Sequence, residues 1–247
     1  MTAARDWDAA SYDRISDPQY GWALEQLERL PLRGNEVVLD AGCGSGRVTA
    51  LLAERVPRGR VYGVDSSPAM VQHAAEALGD RARILCQDLV QLSLPEPVDA
   101  VFSNATFHWI ADHDALFRHL AAVLRPGGRL VAQCGGAGNV ESVRSVARAL
   151  DGGWEGPQHY ATAEATRERL EAAGFVEVDC WLHQEPTSFA AGEECETFLR
   201  TVILGAHLQR MPPERHDAFV RTVADSLGPQ PVVDYVRLNI LATRGPW

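Results

Sequence analysis

A glycine-rich turn after a short apolar strand constrains this chain more than any other segment. Residues 37–41 (Val-Val-Leu-Asp-Ala) form an apolar run with the length of a buried strand. Gly42, Gly44 and Gly46 follow at alternate positions and allow the backbone to turn sharply and to approach a ligand closely. Residues 47–55 then have the pattern of a helix whose N-terminus points at the same place. This order is typical of a site for a nucleotide-like cofactor.

The glycine spacing argues against a dinucleotide as that cofactor. A pyrophosphate-binding turn follows G-x-G-x-x-G, and here Arg47 occupies the position of the third glycine. Asp40 would also lie beside phosphates of its own charge, whereas it would attract the sulfonium and ammonium groups of S-adenosylmethionine. We therefore predict S-adenosylmethionine. A dinucleotide oxidoreductase and an ordinary tight turn without a ligand are the alternatives.

Two further acids follow the next two predicted strands. Residues 61–65 read as a strand that ends at Asp65, about twenty residues past the turn, where an acid is placed to bind ribose hydroxyls. In the third predicted strand, residues 83–89, Asp88 is placed to accept from an adenine amino group, with Leu89 against the ring. A single acid is more often a helix cap, but three acids at three successive strand ends favour a cofactor site.

These segments make the first two-thirds of the chain resemble the class I S-adenosylmethionine-dependent methyltransferases. Residues 124–131 (Leu-Arg-Pro-Gly-Gly-Arg-Leu-Val) also resemble the family's turn into the fifth strand. The resemblance implies an α/β fold, a doubly wound, seven-stranded, mostly parallel Rossmann-like sheet with helical lid insertions, and S-adenosylhomocysteine as product. The cofactor-binding residues that it implies are Tyr12, Gln19, Asp40, Ala41, Gly42, Cys43, Gly44, Asp65, Ser66, Met70, Gln87, Asp88, Leu89, Asn104 and Ala105.

Two short motifs narrow the resemblance. Residues 7–12 (Trp-Asp-Ala-Ala-Ser-Tyr) and 103–110 (Ser-Asn-Ala-Thr-Phe-His-Trp-Ile) are similar to those of the small-acid carboxyl methyltransferases, a group that includes trans-aconitate, malonyl-carrier-protein and juvenile-hormone-acid methyltransferases. The resemblance implies O-methylation of a small carboxylic acid. Methylation of oxygen, nitrogen or carbon on a secondary metabolite, a non-methylating cyclase and a cofactor-sensing scaffold are the alternatives.

The candidate catalytic residue is His108, which follows the fourth predicted strand (residues 98–105). A carboxylate is already ionised near pH 7 and needs no general base, whereas an amine, phenol or carbon acid usually does. An ordinary histidine pKa near 6.5 allows His108 to act as a base or as a cationic donor. For an acid acceptor we expect it to hydrogen-bond the acid. Tyr20 and Trp109 are further predicted substrate contacts, with plain packing as the alternative.

Metal chemistry is not predicted. His113 lies between Asp112 and Asp114, but this stretch has the pattern of the capped, acid-rich start of a helix. The five cysteines are scattered, without a C-x-x-C pair, and do not indicate a zinc site or a disulfide framework.

The composition of the chain limits the kinds of binding partner that we expect. A net charge of −10 without a basic run argues against nucleic acid. There is no lysine, which excludes Schiff-base chemistry. No apolar run has the length of a membrane span and no signal sequence is evident, so we expect a cytoplasmic protein without a membrane partner. We expect a small-molecule acceptor and leave the oligomeric state open.

The pattern along the chain predicts one domain over residues 1–247. A helical cap over 1–34 precedes the cofactor-binding core over 35–134, and the last strand occupies 236–245. Insertions at 135–160 and 191–227 are expected to form a lid above the strand ends, the second as helices over 193–210 and 213–227. Residues of the second insertion that would line an apolar pocket, with core packing as the alternative, are Phe198, Val202, Leu204, His207 and Met211.

Overall fold

Seven strands form one sheet at the centre of the structure, a computed structural model that describes residues 17–246. Their order across the sheet is β3-β2-β1-β4-β5-β9-β6, and β7 and β8 form a separate ribbon. Tyr12 and the motif at 7–12 lie outside the described residues. The strands are β1 (Val37–Ala41), β2 (Arg60–Asp65), β3 (Arg83–Cys86), β4 (Val98–Asn104), β5 (Leu124–Gly135), β6 (Phe175–Gln184), β7 (Thr187–Ser188), β8 (Val232–Val233) and β9 (Val236–Arg244).

Helices connect the strands and cover both faces of the sheet. In chain order they are α1 (Asp17–Leu27), α2 (Arg47–Arg55), α3 (Pro68–Leu78), α4 (His113–Val123), α5 (Glu141–Leu150), α6 (Ala163–Ala172), α7 (Glu193–Phe198), α8 (Gly205–Gln209) and α9 (His216–Ser226). Short 3₁₀ turns lie at Gly79–Arg81, Leu89–Gln91, Phe107–Trp109 and Pro213–Arg215. Within the described part of the chain, no helix is both long and apolar enough to cross a membrane.

The sheet topology places a crevice between β1 and β4. Strands β1 to β5 pair in parallel, whereas β9 runs antiparallel to both β5 and β6. The connections leave β1 for β2 on one side and reach β4 on the other, which is the switch point where such sheets bind ligands. This arrangement confirms the predicted doubly wound, seven-stranded, mostly parallel sheet.

Alternate residues of the central strands enter two separate cores. Leu39 packs on one face with Val64 and Leu116, while its neighbour Val38 packs on the other face with Phe102. This alternation follows from the period of two in a strand, and both faces are apolar because helices cover both. The two cores hold the strand ends rigidly in register.

A third apolar cluster joins the N-terminal helix to both insertions. Trp22 of α1, Val143 of α5, Leu199 after α7 and Val220 of α9 are all buried in it. We call residues 136–160 and 191–227 the lid. Two details differ from the prediction. The first insertion contains α5, and a π-helical turn at Leu199–Ile203 divides the helix predicted over 193–210.

Candidate active site

The glycine turn is fixed to the end of β2 by backbone hydrogen bonds. The amides of Gly42 and Cys43 both donate to the carbonyl of Val64, at 2.8 and 3.0 Å. Gly42 has a φ of +85°, and a Cβ built on it would lie 2.1 Å from the Thr106 hydroxyl oxygen. Only glycine fits where the turn meets the segment after β4.

Gly44 faces open space on the same turn. Its φ is +52°, and a Cβ built there meets no protein atom within 4 Å. Its amide donates to Asp65 Oδ2 at 2.9 Å, which holds the turn against the second strand end. The turn therefore presents bare backbone to the crevice at the switch point.

Asp40 is a buried acid directly beneath this turn. It is 2% exposed, and its Oδ2 accepts from the Thr49 hydroxyl at 2.6 Å. Burial raises the pKa of Asp40 to about 7; the Thr49 hydrogen bond lowers it and the neighbouring Asp65 charge raises it. A cation bound nearby would favour the ionised form of Asp40.

The carboxylate of Asp65 connects the glycine turn to the segment that follows β2. Besides the bond from Gly44, its Oδ1 accepts from the Ser67 amide at 2.9 Å. Burial raises the pKa of Asp65, and the backbone hydrogen bonds oppose that rise. Each carboxylate oxygen has a second lone pair, so both can still accept from a ligand hydroxyl.

Two amide oxygens near the end of β4 are buried without a hydrogen-bond partner among the described residues. They are Asn104 Oδ1 and Gln19 Oε1. The other side of the Asn104 amide donates to the Gln19 carbonyl at 2.9 Å, so the two residues are neighbours. A buried acceptor without a partner is unfavourable, and a ligand with N–H donors would satisfy both oxygens.

A cavity that opens to solvent lies between the strand ends and the lid, with about 450 Å³ of space outside protein atoms, open solvent included. Of the described residues that line it, Arg237 is the only charged one and none carries a carboxylate. The lining residues are Gln19, Ala105, His108, Trp109, Asn139, Val140, Gln158, Tyr160, Val202, Ile203, Tyr235 and Arg237.

His108 enters this cavity as a neutral side chain. It is 8% exposed, and burial, followed by the charges of Arg237 and His113, lowers its pKa to about 3. Its Nδ1 accepts from the Gly135 amide at 3.3 Å, so the ring proton resides on Nε2. The pKa therefore lies well below the ordinary histidine value considered in the sequence analysis, because the ring is removed from water. His108 retains one N–H donor.

Arg237 was missed by the sequence analysis. It lies on β9 directly opposite Gly135, is 2% exposed, and donates from Nε to Gln133 Oε1 at 3.2 Å. Gln133 donates in turn to Asn239 Oδ1 at 2.9 Å, so a buried polar chain on two rigid strands orients the guanidinium. The available signal was a charged residue inside an apolar strand pattern.

Known proteins are similar to this chain in sequence and in architecture. A family model described as a methyltransferase domain matches residues 38–128. Trans-aconitate 2-methyltransferase of Escherichia coli strain K12 is 36% identical over 192 residues, which cover 74% of each protein. The YcgJ protein of Bacillus subtilis superposes with a TM-score of 0.69 at 16% identity, covering 92% of this chain and 99% of its own. Phosphoethanolamine N-methyltransferase 2 of Haemonchus contortus, solved with S-adenosyl-L-methionine, has a TM-score of 0.66 at 20% identity. The match covers 96% of this chain and 56% of that protein.

The sequence relative decides the family, and the structural neighbours agree in fold. The chain belongs to the S-adenosylmethionine-dependent methyltransferases. Its cofactor is S-adenosylmethionine and the product is S-adenosylhomocysteine, as the sequence predicted. The identity of the residues that hold the cofactor stays a prediction.

In this methyltransferase several further predicted cofactor-binding residues lie around the ends of β2 and β3, among them Asp88 and Leu89, which are predicted to contact adenine. Asp88 is exposed and accepts from the Val90 amide at 3.1 Å, which caps a 3₁₀ turn. The Gln87 side-chain amide donates from Nε2 to the Ser93 carbonyl at 3.1 Å and accepts at Oε1 from the Ser93 amide at 3.0 Å. Met70 is buried, as is Leu89, whereas Ser66 is exposed. Gln87 and Asp88 thus shape the loop in this methyltransferase, and the adenine contacts remain predictions.

The predicted substrate contacts divide between two places. Trp109 lines the cavity beside His108, with ring centroids 5.2 Å apart. Tyr20 does not line it; its ring lies 4.3 Å from the Arg47 guanidinium at the start of α2. The prediction that Tyr20 contacts substrate therefore has no support from its position.

Of the predicted apolar pocket residues in the second insertion, Val202 lines the cavity, and the others mostly pack inside the lid. Phe198, Leu204 and Met211 are buried in the lid cluster. His207 is paired with Asp151 at 2.9 Å.

The stretch around His113 is the predicted helix start. Asp112 caps α4 by accepting from the Ala115 amide at 2.8 Å. His113 Nε2 bonds the Phe107 carbonyl at 3.0 Å. Within residues 17–246, no three potential ligands cluster in a way that would hold a metal ion.

Proposed function

We propose that this methyltransferase transfers the methyl group to a carboxylate oxygen of a small organic acid. The observation that carries the proposal is the cavity lining, which combines one cation, Arg237, with a neutral N–H donor, His108. No described side chain of the lining is a carboxylate that could remove a proton from the acceptor. Such a lining suits an acceptor that arrives already ionised.

The residues around the glycine turn fit S-adenosylmethionine. We assign its ammonium and sulfonium end to the side of Asp40, where a cation would favour ionisation of the buried acid. The free oxygens of Asn104 and Gln19 are suited to accept from the ammonium group. The second lone pairs of Asp65 are suited to the ribose hydroxyls. The bare backbone at Gly44 leaves room for this contact.

The chemistry then requires orientation, not proton transfer. The bound cofactor supplies a methyl group on a positively charged sulfur. An acceptor carboxylate oxygen forms the new bond to the methyl carbon while the carbon–sulfur bond breaks and its electron pair goes to sulfur. Arg237 and the Nε2–H of His108 hold the acceptor carboxylate, and the lid excludes water. Well-oriented proximity of this kind contributes about 7–11 kcal/mol to such a step.

The similarity to trans-aconitate 2-methyltransferase supports this reaction class, because the substrate in that protein's name is a carboxylic acid. That the acceptor is a small molecule does not depend on which acid is used. Arg237 gives the preference for an anion a physical basis within this chain.

The test is an acceptor screen with the purified protein. S-adenosylmethionine is supplied with trans-aconitate, other small organic acids, and matched phenols and amines. Release of S-adenosylhomocysteine is measured together with the mass of the methylated product. We expect methyl esters, which are identified by their hydrolysis in base. Turnover of phenols or amines in preference to every acid would refute the proposal.

A further inference from the structure

The Arg237 guanidinium lies over the face of a buried tryptophan. Its Cζ atom is 4.3 Å from the centre of the Trp22 ring, and the two residues are 2% and 6% exposed. The Nε of the same guanidinium donates to Gln133 at 3.2 Å. An aromatic face attracts a cation most strongly where both are shielded from water. Trp22 of α1 and Gln133 of β5 therefore hold the guanidinium from two different elements of the fold.

Trp22 lies on the face of α1 that turns toward the cavity. Gln19 precedes it by three residues, so the two side chains share one face of the helix, and Gln19 lines the cavity. Tyr235, which also lines the cavity, meets Trp22 edge to face, with ring centroids 5.0 Å apart at an interplanar angle of 67°. Aromatic pairs favour this geometry. The ring that supports Arg237 is thus itself held in one orientation.

Recognition of a carboxylate benefits from a guanidinium that is already held in place. An arginine side chain has several rotatable bonds and loses conformational freedom when it is fixed in one position. Its N–H groups form a rigid fork, so hydrogen bonds to a carboxylate require that the fork be correctly oriented. Contacts that fix Arg237 before the acid arrives reduce the entropy that binding must overcome.

We propose that Trp22 is a positioning residue for the acceptor, because its ring holds the Arg237 guanidinium where it can bind the acceptor carboxylate. This inference rests on the proposed carboxyl methylation and adds a residue that acts on the acid only through Arg237. The carboxylate carries its full charge when it binds and loses charge as the ester forms. Removal of the Trp22 ring is therefore expected to raise KM for the acid more than it lowers kcat.

A double-mutant cycle tests whether Trp22 acts through Arg237. The variants are Trp22→Leu, Arg237→Gln and the two together, and the probes are trans-aconitate and every other acid that the acceptor screen shows to be methylated. With Arg237 present, Trp22→Leu is expected to lower kcat/KM about tenfold, mainly by raising KM. In the Arg237→Gln background the same substitution is expected to change kcat/KM by less than about twofold.

Phe219→Leu is the matched control for the loss of a buried aromatic ring. Phe219 is 6% exposed, as Trp22 is, and lies in the same apolar cluster, but it does not line the cavity. Urea unfolding should show that Phe219→Leu and Trp22→Leu both destabilise the fold. Only Trp22→Leu is expected to raise KM for the acid.

A milder variant guards against misfolding. Trp22→Phe keeps a smaller aromatic face and is expected to lower kcat/KM about threefold, and it carries the same cycle if Trp22→Leu does not fold. The inference is overturned if the Trp22 substitution leaves KM unchanged, if it lowers kcat/KM by the same factor in both backgrounds, or if Phe219→Leu raises KM equally. Each of these results leaves carboxyl methylation intact. A wild type that methylates no acid would refute both the proposed function and this inference.

Discussion

Replacing Asp40 with asparagine is expected to stabilise the cofactor-free protein at neutral pH and to abolish tight cofactor binding. Asp40 is 2% exposed and its pKa rises from 3.8 to about 7 in the folded protein. The folded state therefore holds the proton more tightly than the unfolded state. As pH rises from about 4 to 7, the unfolded chain gains the free energy of ionisation first, so the wild type loses stability and then levels off.

The magnitude follows from this shift in pKa. Three pKa units correspond to about 4 kcal/mol, and about 3 kcal/mol of this falls between pH 5 and pH 8. Asparagine carries no charge, and its side-chain oxygen can still accept from Thr49. The free energy of unfolding of Asp40→Asn, relative to the wild type, should therefore increase by that amount between the two pH values.

Urea unfolding at pH 5 and pH 8, followed by tryptophan fluorescence, measures this difference. Asp80→Asn is the control, because Asp80 is an exposed acid outside the site. Calorimetric titration with S-adenosylhomocysteine at pH 8 measures binding. An equal effect of Asp40→Asn on stability at both pH values, or unchanged cofactor affinity in this variant, would refute the reasoning.

Four further predictions follow from the site. His108→Gln keeps an N–H donor near the position of Nε2, whereas His108→Leu removes it. A hydrogen bond to a charged group contributes about 1.5–3 kcal/mol. The kcat/KM for acids should therefore fall about tenfold to a hundredfold more in the leucine variant than in the glutamine variant. Equal losses in both variants would contradict the assignment of the Nε2–H as a donor to the acceptor. Gly44→Ala adds a Cβ at a φ of 52°, where no protein atom lies within 4 Å, so thermal melts should show a folded variant destabilised by about 1–2 kcal/mol. This variant should bind S-adenosylhomocysteine more weakly than the wild type; unchanged affinity would contradict the placement of the cofactor against this turn. Arg237→Gln should lower kcat/KM for acids about tenfold to a hundredfold by the loss of a charge-assisted contact, without changing cofactor affinity; equal turnover by this variant and the wild type would contradict the assignment. The affinity for S-adenosylhomocysteine should rise by up to about tenfold per pH unit as pH approaches 7 from below, because binding favours ionised Asp40, and this rise should be missing in Asp40→Asn.

The sequence by itself determined the framework of this methyltransferase. The strand before Gly42, the glycine turn and the acids at residues 40, 65 and 88 are local patterns, and local patterns survive in the sequence because they depend on near neighbours. The predicted sheet and family were confirmed. The lid was predicted only in outline, because α5 and the π turn at Leu199–Ile203 depend on packing between the two insertions.

Tertiary structure alone decided the chemical state of the cavity that holds His108 and Arg237. Arg237 donates to Gln133, which is 104 residues away in sequence, and faces the cavity only because β9 inserts between β5 and β6. His108 is neutral because the lid buries it and the Gly135 amide occupies its Nδ1. The burial of a side chain and the charges near it depend on residues that are distant in the sequence. A pattern of neighbouring residues therefore cannot encode them, and the folded arrangement must.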